Sequence, residues 1–169
     1  SLAGGMQVQK KVAEKWQSIT GNVLSVGYGL SETSPAASID PIGVNSFSDS
    51  LGLPLPSTEI SIQDDNGNLL NFNEAGEICI RGPQVMKGYW NNPEETNNVI
   101  TSDGWFKTGD IGIMNEEGYP KIVDRKKDMI IVSGFNVYPN EIEEVSMLNE
   151  KIFEAGCIGI QDEVGNENI

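Results

Sequence analysis

The chain contains no histidine, and its two cysteines, Cys79 and Cys157, stand far apart. A zinc site of the usual Cys/His spacing is therefore excluded. Both thiols read as buried groups in a reducing compartment. No run approaches the ~18 apolar residues that a membrane span needs, so no transmembrane segment is expected. The opening "SLAGGMQVQKK" lacks the apolar core of a signal peptide. Cations are scarce too: 11 Lys and Arg face 25 Asp and Glu, for a net charge of −14. Nucleic-acid binders carry a basic face that neutralises phosphates, so no nucleic-acid partner is expected. A small polyanion such as a nucleotide needs only a few local donors and a divalent cation.

What is present is enough apolar residue for a core, 38% of the chain, and 19 glycines among 169 residues. Such glycine usage implies many turns and close backbone approaches. Residues 6–18 predict a helix, with Val8, Val12 and Trp16 on one apolar stripe. "NVLSV" at 22–26 predicts a short strand after it, the edge of an α/β layer. From about residue 40 the texture becomes β-rich. "TEISIQD" and "GEICIRG" alternate with period two, Asn66-Gly67 marks a turn, and "GWFKTGDIGIM" and "YPKIVD" flank Glu117-Gly118. A small sheet or distorted barrel is expected there. "NPEETNNVI" interrupts it with a helix start, Pro93 at the first position and Glu94 and Glu95 in the first turn. After Asp124 come a charge cluster, the apolar run Met129–Val132, a loop "SGFNVYP", and a helix over 139–148 with Ile142, Val145 and Leu148 on one face. "EAGCIGI" predicts one more strand. The fold class is α+β in three parts. Residues 1–46 end an α/β nucleotide-binding part, 47–123 form a β-rich subdomain, and 124–169 hold a hinge and the truncated start of a small C-terminal domain.

Three stretches carry chemistry. "GYGLSE" follows the dinucleotide pattern G-x-G-x-x-G except at its third glycine, which is Glu32. A carboxylate beside phosphate makes sense when Mg²⁺ lies between them. Ser31 then donates to a phosphate oxygen, and Tyr28 lies against a base. The competing reading is a glycine-rich turn with a solvated Glu, since short glycine motifs are weak signals. "TGD" at 108–110 is either a turn cap or a carboxylate for ribose hydroxyls. "DRKKDMIIVSGFNVYPNEIEEV" is either a solvated charge cluster or a hinge, with Arg125 able to grip ribose or phosphate oxygens and Gly134 in a loop that passes close to a ligand.

Taken in order, "YGLSETSP", "GEICIRGPQVMKGYWNNPEET", "DGWFKTGDIG" and "DRKKDMIIVSGFNVYPNEIEEV" resemble the acyl-adenylate-forming (AMP-binding) superfamily, in particular bacterial long-chain fatty-acid–CoA ligases. These words cover most of residues 26–146, and "AGGM" at 3–6 fits a loop just upstream. The resemblance implies ATP-dependent activation of a fatty acid to an acyl-adenylate, then transfer to CoA, with Mg²⁺ as cofactor. Tyr28 would lie against adenine, and Gly4, Gly5 and Gly29 would line the nucleotide pocket. Ser31 and Glu32 would be catalytic, Ser31 on phosphate and Glu32 on Mg²⁺. Asp110 and Arg125 would take the ribose, and Lys127 would be the pivot between large and small domains. Ser133, Gly134 and Phe135 would approach the CoA arm. A cytoplasmic enzyme is implied, compatible with peripheral association at the inner membrane face.

The same resemblance places a Ser/Thr/Gly-rich phosphate loop upstream of these residues and a carboxylate-contacting lysine downstream. Residues 1–169 alone are therefore expected to show no ligation. Val26-Gly27 replaces the acidic residue and glycine expected before the tyrosine, which leaves the pocket floor open. Two alternatives stand beside this reading: an aryl-CoA ligase or amino-acid-activating domain of the same superfamily, and a β-rich interaction module without a nucleotide.

Overall fold

The computed structural model describes residues 1–6, 8–149, 151–161 and 167–169. It is a mixed α+β structure of short strands and three helices among the described residues. Two compact units form, one from residues 1–108 and 112–122, the other from 109–111 and 123–169.

The first unit begins with β1 (Leu2–Ala3), α1 (Lys10–Thr20) and β2 (Ser25–Tyr28). The helix starts later than the sequence pattern suggests, because Gln9 is still extended at φ −68° and ψ 135°. Residue 7 of the predicted span lies outside the described residues. The expected stripe is not the buried face: Val12 and Trp16 are exposed, and Ala13 is buried instead. Gly21 ends the helix in the left-handed region at φ 69°, its N–H closing on the Gln17 carbonyl, the usual glycine stop. The predicted strand 22–26 is displaced to Ser25–Tyr28, where β1 pairs with it in parallel. β3 (Ser38–Ile39) and β4 (Leu53–Pro54) extend this sheet antiparallel in the order β1-β2-β3-β4.

The second sheet follows the alternation closely. β5 (Glu59–Gln63) and β6 (Gly76–Arg81) pair antiparallel with Ile60 opposite Ile80 and Ile62 opposite Ile78. The reversal between them is built by Asp64, whose Oδ1 accepts the N–H groups of Asn66 and Asn68. α2 (Pro93–Val99) is capped by Asn92, whose side chain accepts the Glu95 N–H, and Pro93 stands in its first turn. β7 (Phe106–Met114) and β8 (Pro120–Arg125) complete the order β5-β6-β7-β8. Ile62, Ile78 and Ile80 join Tyr28, Ala37 and Leu51 in one apolar cluster. The strand β6 is buried on both faces over residues 77–80, so Cys79 is buried as expected.

The second unit contains β9 (Ile130–Val132), β10 (Phe135–Val137), α3 (Pro139–Ser146), β11 (Ile160–Gln161) and β12 (Glu167–Asn168). Four expectations need correction here. "SGFNVYP" is not a loop: Ser133 and Gly134 form a two-residue turn at φ 52° and 84°, and Phe135 pairs directly with Val132. Consecutive positive φ values match the twist of a hairpin, which is why the chain can reverse in two residues. Residues Glu154–Gly159 of "EAGCIGI" are not strand, and pairing is confined to Ile160–Gln161. Val145 and Leu148 are exposed rather than on a buried face. Cys157 is half-buried, not buried. Among the described residues no helix is long and apolar enough to cross a membrane.

Candidate functional site

In the first unit the site residues hang from the end of β2. The Val26 N–H donates to buried Asp40 at 2.6 Å, and the Ala37 N–H to the Tyr28 carbonyl at 2.8 Å. Tyr28, 8% exposed, belongs to the apolar cluster, so this residue anchors the end of β2 in the core. Gly29 and Gly4 each have a steric reason. A Cβ on Gly29 would overlap the Pro35 carbonyl, and one on Gly4 would lie 2.7 Å from the Gly27 carbonyl. The chain therefore crosses itself at Gly29 and passes close to β2 at Gly4. Gly5, at φ 86°, turns away next. The incomplete G-x-G-x-x-G pattern is thus a backbone crossing in its own right.

Ser31–Thr33 form a single 3-10 turn. Thr33 is fully buried and fixes that turn, its hydroxyl accepting the Leu30 N–H at 2.9 Å and lying 2.9 Å from the Pro35 carbonyl. Ser31 is exposed and Glu32 half-buried. The Glu32 carbonyl accepts the Met86 N–H at 2.8 Å, and its Oε1 accepts the Tyr89 hydroxyl at 2.8 Å. Burial first, then the bond to Glu32, push the Tyr89 phenol up to about 12, so it is a proton donor at neutral pH. Thr33 and Tyr89 escape a sequence reading. Tyr89 lies in the quoted word "MKGYW", but nothing local says that it meets a residue 57 positions away.

No group of three metal-type side chains occurs among the described residues. A single carboxylate with one oxygen hydrogen-bonded suits Mg²⁺, which keeps waters and takes its remaining ligands from phosphates. Zinc or calcium would need a fuller protein cage. The donor set at Glu32 therefore fits the metal implied by the sequence.

In the second unit, Gly109 at φ 74° turns the chain so that Asp110 is 3% exposed. Its Oδ1 accepts the Arg125 Nε–H at 3.1 Å. The two residues expected at ribose are thus brought together, and the Lys126 N–H bonds the Gly109 carbonyl at 2.8 Å. Asp124, buried, roots this corner: it accepts the N–H groups of Arg125 at 2.7 Å and Asn140 at 3.0 Å. The Arg125 carbonyl accepts from Asp128 and Met129, which leaves Lys127 exposed at the crest of a turn. Lys127 lines an open pocket with Asp124, Ile130, Glu143 and Cys157. Ser133, Gly134 and Phe135 occupy the β9–β10 tip, and Phe135 is 75% exposed.

Comparison with known proteins follows the same lines. The family model described as AMP-binding enzyme matches residues 1–90. A long-chain-fatty-acid–CoA ligase of Yersinia pestis is 53% identical over all 169 residues, which make up 30% of that protein. The chain thus spans about a third of the length of the curated relatives it matches. Among solved structures, ATP-bound MatB from Rhodopseudomonas palustris superposes with a TM-score of 0.92 at 33% identity, over 98% of this chain and 33% of that one. O-succinylbenzoate coenzyme A synthetase from Bacillus subtilis, in complex with ATP and magnesium ion, superposes with a TM-score of 0.84 at 33% identity, over 98% and 34%. With that match over more than half of its length, and the strand-end and Thr-Gly-Asp sites built as described, the chain belongs to the AMP-binding enzyme family.

Proposed function

We propose that this chain is part of an ATP-dependent, AMP-forming fatty-acid–CoA ligase. In the first half-reaction a fatty-acid carboxylate oxygen attacks the α-phosphorus of ATP and pyrophosphate leaves. In the second, the CoA sulfur attacks the acyl carbonyl carbon, and AMP leaves. Ser31 donates a hydrogen bond to a phosphate oxygen, and Glu32 holds Mg²⁺. The bound ion would offset charge on the phosphates. Tyr28, Gly4, Gly5 and Gly29 shape the base side. Asp110 accepts from the ribose hydroxyls while Arg125, already beside it, holds the same sugar. Lys127 is the pivot at the head of the small domain, and Ser133–Phe135 meet the CoA arm.

The observation that carries this reading is the Asp110–Arg125 pair at 3.1 Å. Two residues named by separate motifs meet, and the carboxylate is buried with its partner exposed. Identity with long-chain ligases along the whole chain supports the fatty-acyl branch.

The test uses the full-length protein with ATP, Mg²⁺, CoA and hexadecanoic acid. Glu32→Ala should lower acyl-CoA formation by ~10² or more, the scale for losing one transition-state charge partner, and Asp110→Ala by ~10-fold or more, the scale of one charge-assisted hydrogen bond to the ribose. Unchanged turnover in both variants would favour the interaction-module alternative. Preference for an aryl acid or an amino acid over hexadecanoate would move the enzyme to another branch of the superfamily.

A further inference from the structure

Glu32 is fastened to a distant segment at two points. Its carbonyl takes the Met86 N–H and its Oε1 takes the Tyr89 hydroxyl, both at 2.8 Å. The segment between β6 and α2 is itself braced. The Gln84 side chain donates to Thr58 Oγ1 at 2.8 Å and to the Ala36 carbonyl at 3.3 Å. The Tyr89 N–H donates to Thr96 Oγ1 at 2.9 Å, and Thr96 donates in turn to the Asn92 carbonyl at 2.8 Å. Gly88 lies so close to Thr96 that a Cβ would sit 2.7 Å from its methyl carbon. The Tyr89 backbone is therefore seated on the first turn of α2, and its hydroxyl is delivered to one oxygen of Glu32.

We propose that Tyr89 is a positioning residue that occupies Oε1 of Glu32 and so presents Oε2 to the nucleotide-bound Mg²⁺. This rests on the metal role proposed above for Glu32. A glutamate side chain can adopt several staggered rotamers, and the Tyr89 hydroxyl bond to Oε1 favours one of them. Partners of this kind orient a metal ligand, and their loss typically costs ~10–100-fold in metal affinity. Ring packing alone would not do this, because a phenyl ring has no donor for Oε1.

The experiment uses the full-length protein loaded with a non-hydrolysable ATP analogue. Mn²⁺ binding is titrated by electron paramagnetic resonance, alongside analogue affinity in EDTA and thermal stability. Tyr89→Phe should weaken Mn²⁺ binding ~10–100-fold while metal-free analogue affinity stays unchanged. Thr96→Val keeps the shape of Thr96 but removes the acceptor for the Tyr89 N–H, and should give a smaller loss of the same kind. Wild-type Mn²⁺ affinity in Tyr89→Phe, with Glu32→Gln weakened, would overturn the proposal and leave Glu32 as ligand. Wild-type affinity in Glu32→Gln would instead sink the metal role of Glu32 itself. If Tyr89→Phe does not fold, Thr96→Val decides: unchanged Mn²⁺ binding there overturns the positioning role.

Discussion

The two units hold their proposed site residues with different balances of apolar burial and carboxylate bonds, although Asp40 also accepts the Val26 N–H in the first. In the first, the strand that ends at Tyr28 is pinned by an apolar cluster in which Ile78 and Ile80 are fully buried. In the second, Ile111, Ile130 and Pro139 are the buried apolar residues among those described, while Ile131, Phe135, Val145, Leu148 and Ile158 are exposed. There the elements are tied by carboxylates that accept backbone N–H groups. Asp124 takes Arg125 and Asn140, Glu143 takes Cys157, and Glu167 takes Ile131. Apolar burial is non-directional and resists any displacement. Charge-assisted hydrogen bonds fix direction, and can be exchanged for water or ligand at modest net cost. The base-and-metal pocket proposed for the first unit suits the former. A segment proposed to pivot at Lys127 suits the latter.

The contrast can be broken first at Ile78. Truncating a fully buried isoleucine removes its transfer free energy and leaves a cavity. Ile78→Ala should therefore cost ~2–5 kcal/mol, read from the denaturant midpoint. A cost below ~1 kcal/mol would mean that the apolar cluster does not hold the first unit. The equivalent blow to the second unit is polar. Asp124→Ala strands two backbone donors, for ~1–3 kcal/mol. Amide exchange at Arg125 and Asn140 should accelerate by roughly 5–150-fold, the same energy expressed as an opening equilibrium. Protection over residues 59–81 should stay unchanged. Equal acceleration in both units would erase the distinction.

How much of this was legible in the sequence follows the range of each interaction. β5, β6, the turn at Asn66-Gly67 and the Pro93 start of α2 are specified within a few residues, so period and turn chemistry revealed them. Val12 and Trp16 announced an amphipathic helix correctly, but periodicity carries no information about what covers a stripe, and they are exposed. β3 and β4 are two-residue strands defined only by pairing, with no pattern long enough to read. The site divides likewise. Glu32, Asp110 and Arg125 are short, ordered motif positions. The bond from Tyr89 to Glu32 depends on where a loop lands after β6, and only three dimensions display it. Asp124 looked like one more member of a solvated charge cluster, until its burial under two backbone donors set it apart.

The mildest test falls on the hairpin tip, where the misread loop lies. Gly134 sits at φ 84° with no atom beyond its own chain neighbours within 4 Å of where a Cβ would be, so the strain of a substitution is conformational. Gly134→Ala should then cost ~1–2 kcal/mol, the left-handed penalty for an L-residue, while Gly134→Asn should cost less, because Asn tolerates that region. Ser133 already bears positive φ without being glycine, so the turn has little tolerance left for a second strained residue. Measured by exchange of the Val132 and Phe135 amides, the loss should stay within β9 and β10, since backbone pairing ties these two strands to each other. Should Gly134→Ala also release Arg125 and Asn140, the hairpin and the Asp124 corner would be one cooperative piece, and the second unit would be as tightly coupled as the first.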